Sequence, residues 1–250
     1  MPSVRVGDVD VYYEIHGEGP PLVFVGGLGV DMTVFAPFTG RLARSFRVLT
    51  FDNRGAGRTD KPDIPYSIPM MAEDTVGLMD ALGLPRAHLV GVSMGGRIAL
   101  EIAAAHPARI DRMVLIATAA TGTGRLRMSL PARGLGLAKR LHLLPGASPE
   151  RRQPHYAHQR QLAASTSYDG TDRLPEIQAP TLILHGRRDR SMKPAAALAT
   201  RVGIRDSEIE FFRGGHMFFM LTQRDAVADR VEDFLQDWRG RRWPTSLAQI

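Results

Sequence analysis

The sequence predicts an α/β fold: a mostly parallel, twisted sheet of eight strands with helices on both faces and a small helical cap inserted after strand six. Three observations lead there. Short apolar runs alternate with amphipathic stretches along most of the chain, the pattern of strands and crossover helices in a parallel sheet. The alternation fails once, between about residues 121 and 173, over a stretch too long for a plain loop. Finally, Leu89-Val90-Gly91-Val92-Ser93-Met94-Gly95-Gly96 reads as a buried strand running through a sharp turn into a helix.

The elements follow in order. Val4–Val6 and Val9–Ile15 form an opening hairpin, and Pro21–Val25, Arg47–Phe51, Ala87–Val92, Arg112–Ala117, Thr181–His185 and Glu208–Phe212 supply the other strands. Helices are expected over Thr33–Arg44, Ile68–Leu82, Met94–His106, Pro194–Val202 and Asp225–Arg239, with Gly83 and Pro107 as stop signals. The interruption is rich in basic residues (Arg125, Arg127, Arg133, Lys139, Arg140, Arg151, Arg152, Arg160). It holds two apolar-periodic stretches, Leu126–Leu144 and Glu150–Ala164, and so should carry helices of its own. The chain thus divides into a core, 1–120 and 174–250, and a short cap, 121–173.

Composition narrows the function. A chain of 250 residues with 44% hydrophobic content can bury one large core. The lack of cysteine excludes disulfides, thiolate chemistry and cysteine-ligated metals. No run approaches the ~18 apolar residues of a membrane span, and the N-terminus lacks the apolar core of a secretion signal, so a cytoplasmic protein is expected. The net charge of +6 comes from scattered arginines without interleaved aromatics, so a nucleic-acid partner is not expected.

Gly91 and Gly95 flank Ser93 in the pattern G-x-S-x-G, a nucleophile elbow in which small neighbours let a strained serine approach the adjoining strand and helix. A serine hydroxyl is a poor nucleophile at neutral pH and needs a base and a group that orients the base. Asp189 follows the strand Thr181–His185 through Gly186-Arg187-Arg188, and His216 follows the strand ending at Phe212 through Arg213-Gly214-Gly215. Both fall at the C-terminal edge of the sheet, where catalytic groups collect. The loop after strand six, Thr118–Thr123, holds no competing carboxylate, and Arg187, Arg188 and Arg190 should keep Asp189 ionised.

The other histidines have plainer readings. His106 ends a helix, His16 sits in the opening hairpin turn, His88 enters the elbow strand at the opposite edge, His185 is structural, and His142, His155 and His158 belong to the cap. Donors for a developing oxyanion are expected from the N–H groups of Met94 and of Leu28 in Gly26-Gly27-Leu28-Gly29. Gly27, Met217 and Phe218 are the expected substrate contacts, while Met71, Met128, Phe35 and Trp238 go to the core by default. The partner is a small molecule, and no cofactor or metal is expected.

Together these residues resemble the α/β-hydrolase superfamily over nearly the whole chain. Phe51-Asp52-Asn53-Arg54-Gly55-Ala56-Gly57-Arg58-Thr59-Asp60 is similar to that family's D-x-R-G-x-G-x-S turn after strand four, and Arg173-Leu174-Pro175-Glu176-Ile177 to its return from cap to core. The chain departs from the pattern in having Gly26-Gly27 where His-Gly is common, and in its short cap. Serine at the elbow sets aside the haloalkane dehalogenases and epoxide hydrolases of the fold, which use aspartate there. The Ser93-Met94-Gly95-Gly96 run resembles hydrolases of small esters and lactones such as 3-oxoadipate enol-lactonase. The resemblance implies a serine hydrolase of a small carboxylic ester or lactone. Alternatives are carbon–carbon bond hydrolysis or a lyase-like reaction on a ring-fission diketone, acyl-thioester hydrolysis, and a non-catalytic ligand receptor.

Overall fold

Gly7, at a positive φ of 53°, turns the chain between Ser3–Val6 (β1) and Val9–His16 (β2), a backbone conformation that glycine adopts without steric penalty. Six further strands follow: Pro21–Val25 (β3), Arg47–Phe51 (β4), Ala87–Val92 (β5), Ile110–Ile116 (β6), Thr181–Gly186 (β7) and Ser207–Phe212 (β8). They form one sheet in the order β1-β2-β4-β3-β5-β6-β7-β8. The first three neighbours pair antiparallel and all others parallel. The computed structural model describes residues 2–121 and 152–236 of the chain.

β5 is buried along its whole length, as is β7, because helices cover both faces and no alternation with polar residues is needed. On one face lie Ile68–Ala81 (α2), Met94–Ala105 (α3) and Pro194–Gly203 (α5), whose Met71, Met79, Ile98, Ile102 and Ala197 share one core with Leu89, Met113 and Ile183 of the sheet. On the other lie Ala36–Leu42 (α1) and Arg224–Gln236 (α7), whose Phe38, Leu42, Val227, Val231 and Phe234 meet Val90, Val92 and Leu182. Met71 and Phe35 are buried, as expected of core residues.

The helix expected over Thr33–Arg44 is instead a 3-10 turn, Met32–Phe35, capped by Asp31, followed by α1. Pro37 has no N–H and its ring crowds the carbonyl four residues earlier, so one continuous helix cannot form. β6 starts two residues before the expected Arg112 and stops short of Ala117, whose φ of 52° leaves the strand region. A five-residue helix, Phe218–Thr222 (α6), was not expected; it is too short to show a helical period.

Within the interruption, His155–Ser167 forms a helix (α4), close to the apolar stretch expected at Glu150–Ala164. The stretch Leu126–Leu144, and with it Met128 and His142, lies outside the described residues, as does Trp238. Thr121 and Asp169 meet in an isolated β-bridge, so the segment leaves and rejoins the core at one place. It returns through a 3-10 turn, Thr171–Glu176, where Arg173 pairs with Glu101 of α3 and with Glu176. Among the described residues no helix is long and apolar enough to cross a membrane.

Candidate active site

β5 delivers Ser93 to the C-terminal edge of the sheet in a strained turn with φ 55° and ψ −113°. Such a conformation persists only where its surroundings over-determine it. The Ser93 N–H donates to the Ile116 carbonyl at 2.9 Å, and the Ser93 carbonyl accepts from the Gly96 N–H and the Thr118 hydroxyl at 3.0 and 2.7 Å. A Cβ at Gly91 would stand 2.5 Å from the Gly95 carbonyl oxygen, and one at Gly95 would overlap the Val25 carbonyl. Strand, turn and helix pack backbone to backbone here, which is why glycine flanks the serine.

Ser93 Oγ lies 3.0 Å from His216 Nε2, and His216 Nδ1 lies 2.7 Å from Asp189 Oδ2. The three residues expected to converge do so. Asp189 is buried, and its Oδ1 accepts from the N–H groups of Ser191 and Met192 at 2.8 and 2.9 Å. The flanking Arg187, Arg188 and Arg190 are exposed. The carboxylate is thus met by two main-chain donors and by His216. The loops bearing Asp189 and His216 are joined main chain to main chain: the N–H groups of Arg187 and Arg188 donate to Phe212 and Gly214 carbonyls at 2.9 and 2.8 Å.

The remaining histidines fall as follows. His185, expected only to be structural, is fully buried with Nε2 3.5 Å from Asp189 Oδ2 and 3.0 Å from the Met192 carbonyl. Burial draws its pKa below the usual 6.5. His16 is not in the hairpin turn but ends β2, paired with Glu14. His106 reaches Glu73 at 2.8 Å. His88 packs edge-on against Phe46, and burial lowers its pKa too. His155 opens α4, and His158 Nδ1 stands 3.3 Å from Gln153 Oε1.

Of the expected oxyanion donors, Met94 is the first residue of α3, where an N–H has no intrahelical acceptor. Leu28 lies in the loop that brings Gly27 beside Ser93, with 3.6 Å between a Gly27 Cβ position and Ser93 Cβ. Met217 has a φ of 36° and packs on the core, whereas Phe218 is 50% exposed.

Three residues near the site carried no signal read from the sequence. Asn53, 3% exposed, donates from Nδ2 to the Gly26 carbonyl at 3.0 Å. Gln161 of α4 is 0% exposed and accepts from the Gly29 N–H at 3.0 Å. Arg97 of α3, 1% exposed, donates to the carbonyls of Ala119 and Thr121 and to Ser165 Oγ of α4, at 3.2, 2.8 and 2.8 Å. Burial draws its pKa down to about 10. An arginine within the small-residue helix Gly95-Gly96-Arg97-Ile98-Ala99 was the available clue.

An eight-stranded, mostly parallel sheet with a serine on a strained strand-to-helix turn defines the α/β-hydrolase class of fold. The sequence profile of the Alpha/beta hydrolase family matches residues 22–230, and the chain belongs to that family. A relative from Azorhizobium caulinodans bearing the name "Putative carbamate hydrolase RutD" is 30% identical over 255 residues, 89% of this chain and 94% of its own. Among solved structures, the enol-lactonase from Burkholderia xenovorans LB400 superposes with a TM-score of 0.82 at 27% identity, covering 94% of this chain and 100% of that one. The meta-cleavage product hydrolase CumD from Pseudomonas fluorescens IP01 gives 0.80 at 26% identity, covering 94% and 97%.

Proposed function

We propose that the protein is a serine hydrolase that cleaves a small carboxylic ester or lactone through an acyl-enzyme. The observation that carries this reading is the continuous chain from Ser93 Oγ to His216 to the buried Asp189, at 3.0 and 2.7 Å. His216 Nε2 takes the hydroxyl proton as Ser93 attacks the carbonyl, and Asp189 holds the imidazole in the required tautomer and stabilises its protonated form. The N–H groups of Met94 and Leu28 receive the oxyanion. His216 then gives its proton to the leaving oxygen and, in the second half, activates the water that releases the acid. The 121–173 segment, including α4, acts as a cap over this site, and Gly27, Met217 and Phe218 line the entrance.

The relative named for carbamate hydrolysis supports a second substrate class for the same chemistry, since a carbamate carbonyl passes through the same tetrahedral intermediate. The likeness to a meta-cleavage product hydrolase supports carbon–carbon bond hydrolysis as the third. Product analysis on matched aryl esters, lactones, carbamates, thioesters and a vinylogous diketone distinguishes them. The ester reading expects the highest kcat/KM on the esters or lactones, with a fluorophosphonate label at Ser93. Turnover confined to the diketone, or an unlabelled Ser93, overturns it.

A further inference from the structure

The Gly26-Gly27-Leu28-Gly29 loop has three glycines in four residues, and glycine loses more conformational freedom on ordering than any other residue. Such a loop does not fix its own shape, yet an oxyanion donor contributes only if its N–H is aimed before the reaction starts. The structure supplies what holds it. Asn53 Nδ2 donates to the carbonyl of Gly26 at one end, and Gln161 Oε1 accepts from the N–H of Gly29 at the other, both at 3.0 Å. The Phe35 ring backs Gly26, 3.3 Å from where a Cβ would stand.

Gln161 is well suited to this task. Its Oε1 also accepts from Gln153 Nε2 at 2.9 Å, and its Nε2 donates to the Arg54 carbonyl at 2.7 Å. A flipped amide would turn its NH2 toward two N–H donors, so one orientation is enforced. Gln153 Nε2 donates in turn to the Gly55 carbonyl at 2.9 Å. The loop is therefore tied to the β4 turn directly through Asn53 and indirectly through an amide that belongs to α4.

We infer that Asn53 and Gln161 are positioning residues that clamp the two ends of the Gly26–Gly29 loop and so aim its N–H at the oxyanion. The inference rests on the reading of Ser93 as nucleophile. It assigns the inserted segment a part in the chemical step as well as in covering the site. It also identifies what stands in for the missing His-Gly pair: two buried side-chain amides, one on each side of Gly27 and Leu28.

The test is Gln161→Met, close in size but unable to hydrogen-bond, assayed on 4-nitrophenyl acetate beside Ser93→Ala. A second variant, Asn53→Ala, releases the opposite end in case Gln161→Met folds poorly. Each folded variant should lose about tenfold in kcat with KM changed less than twofold. That is smaller than the ~10²–10³ of deleting an oxyanion donor outright, because the donor is loosened and not removed. The midpoint of the kcat/KM pH profile should stay put, and amide exchange over residues 26–29 should speed up at least tenfold. A kcat within twofold of the parent in a folded variant, with Ser93→Ala inactive, overturns the clamp alone. Full turnover by Ser93→Ala overturns the nucleophile and the clamp together.

Discussion

His185 Nε2 lies 3.5 Å from the same Asp189 oxygen, Oδ2, that meets His216 Nδ1 at 2.7 Å, so one carboxylate oxygen faces two imidazoles. The other ring nitrogen of His185 is buried without a hydrogen-bond partner among the described residues, and burial holds its pKa below 6.5. The folded protein therefore resists protonating a ring that the unfolded chain protonates freely. The stability that this neutral ring provides is complete above about pH 6.5 and is lost as pH falls through the lower folded pKa. His185→Gln should make the fall of Tm below about pH 6.5 shallower than in the parent. An unchanged slope would assign the acid sensitivity to other groups such as His88.

Ser93→Ala should lower kcat at least ~10³-fold while the protein stays folded. The backbone strain at φ 55° adds a second expectation. Ser93→Gly should be equally inactive but more stable than Ser93→Ala by about 1 kcal/mol, because glycine occupies that conformation without strain. Paired thermal melts measure the difference directly.

Gly95→Ala places a methyl group against the Val25 carbonyl and within 2.6 Å of the Gly26 carbonyl oxygen. Neither can yield without moving β3 and the loop that follows it. The variant should lose about 1–3 kcal/mol of stability and most of its turnover, with turnover suffering more because the loop is the part displaced. Denaturant melts and esterase kinetics on one preparation separate the two effects.

Arg54 is buried and forms a two-pronged pair with Asp74, both contacts at 2.7 Å, and reaches Asp8 at 2.7 Å. Arg54→Ala strands the Asp74 carboxylate, and breaking a buried pair in this way costs about 3–5 kcal/mol. Arg54→Lys keeps the charge but not the fork, and should fall between the two. Urea melts of the three proteins check the order. The Arg54 carbonyl that Gln161 uses survives both changes, so folded variant should retain most of its activity.

What the sequence made legible was periodic or local. The eight strands read as short apolar runs, and the elbow reads as G-x-S-x-G because the packing of β5 against α3 demands glycine at Gly91 and Gly95. Asp189 and His216 were found because each follows a strand at one edge of the sheet. Asn53, Gln161 and Arg97 were not, because their partners lie 27, 132 and up to 95 residues away, and polar side chains show no period when their role is to satisfy another segment.

The main-chain bonds that join the Asp189 loop to the His216 loop have a practical consequence. The distance between Asp189 and His216 is maintained by peptide groups, which every substitution except proline leaves in place. The exposed side chains of Arg188 and Arg190 can therefore be exchanged for glutamine to lower the net charge of +6, one unit apiece, beside a Ser93–His216–Asp189 chain that keeps its spacing. This stretch of surface is where the protein's solubility and long-range field can be retuned independently of its chemistry.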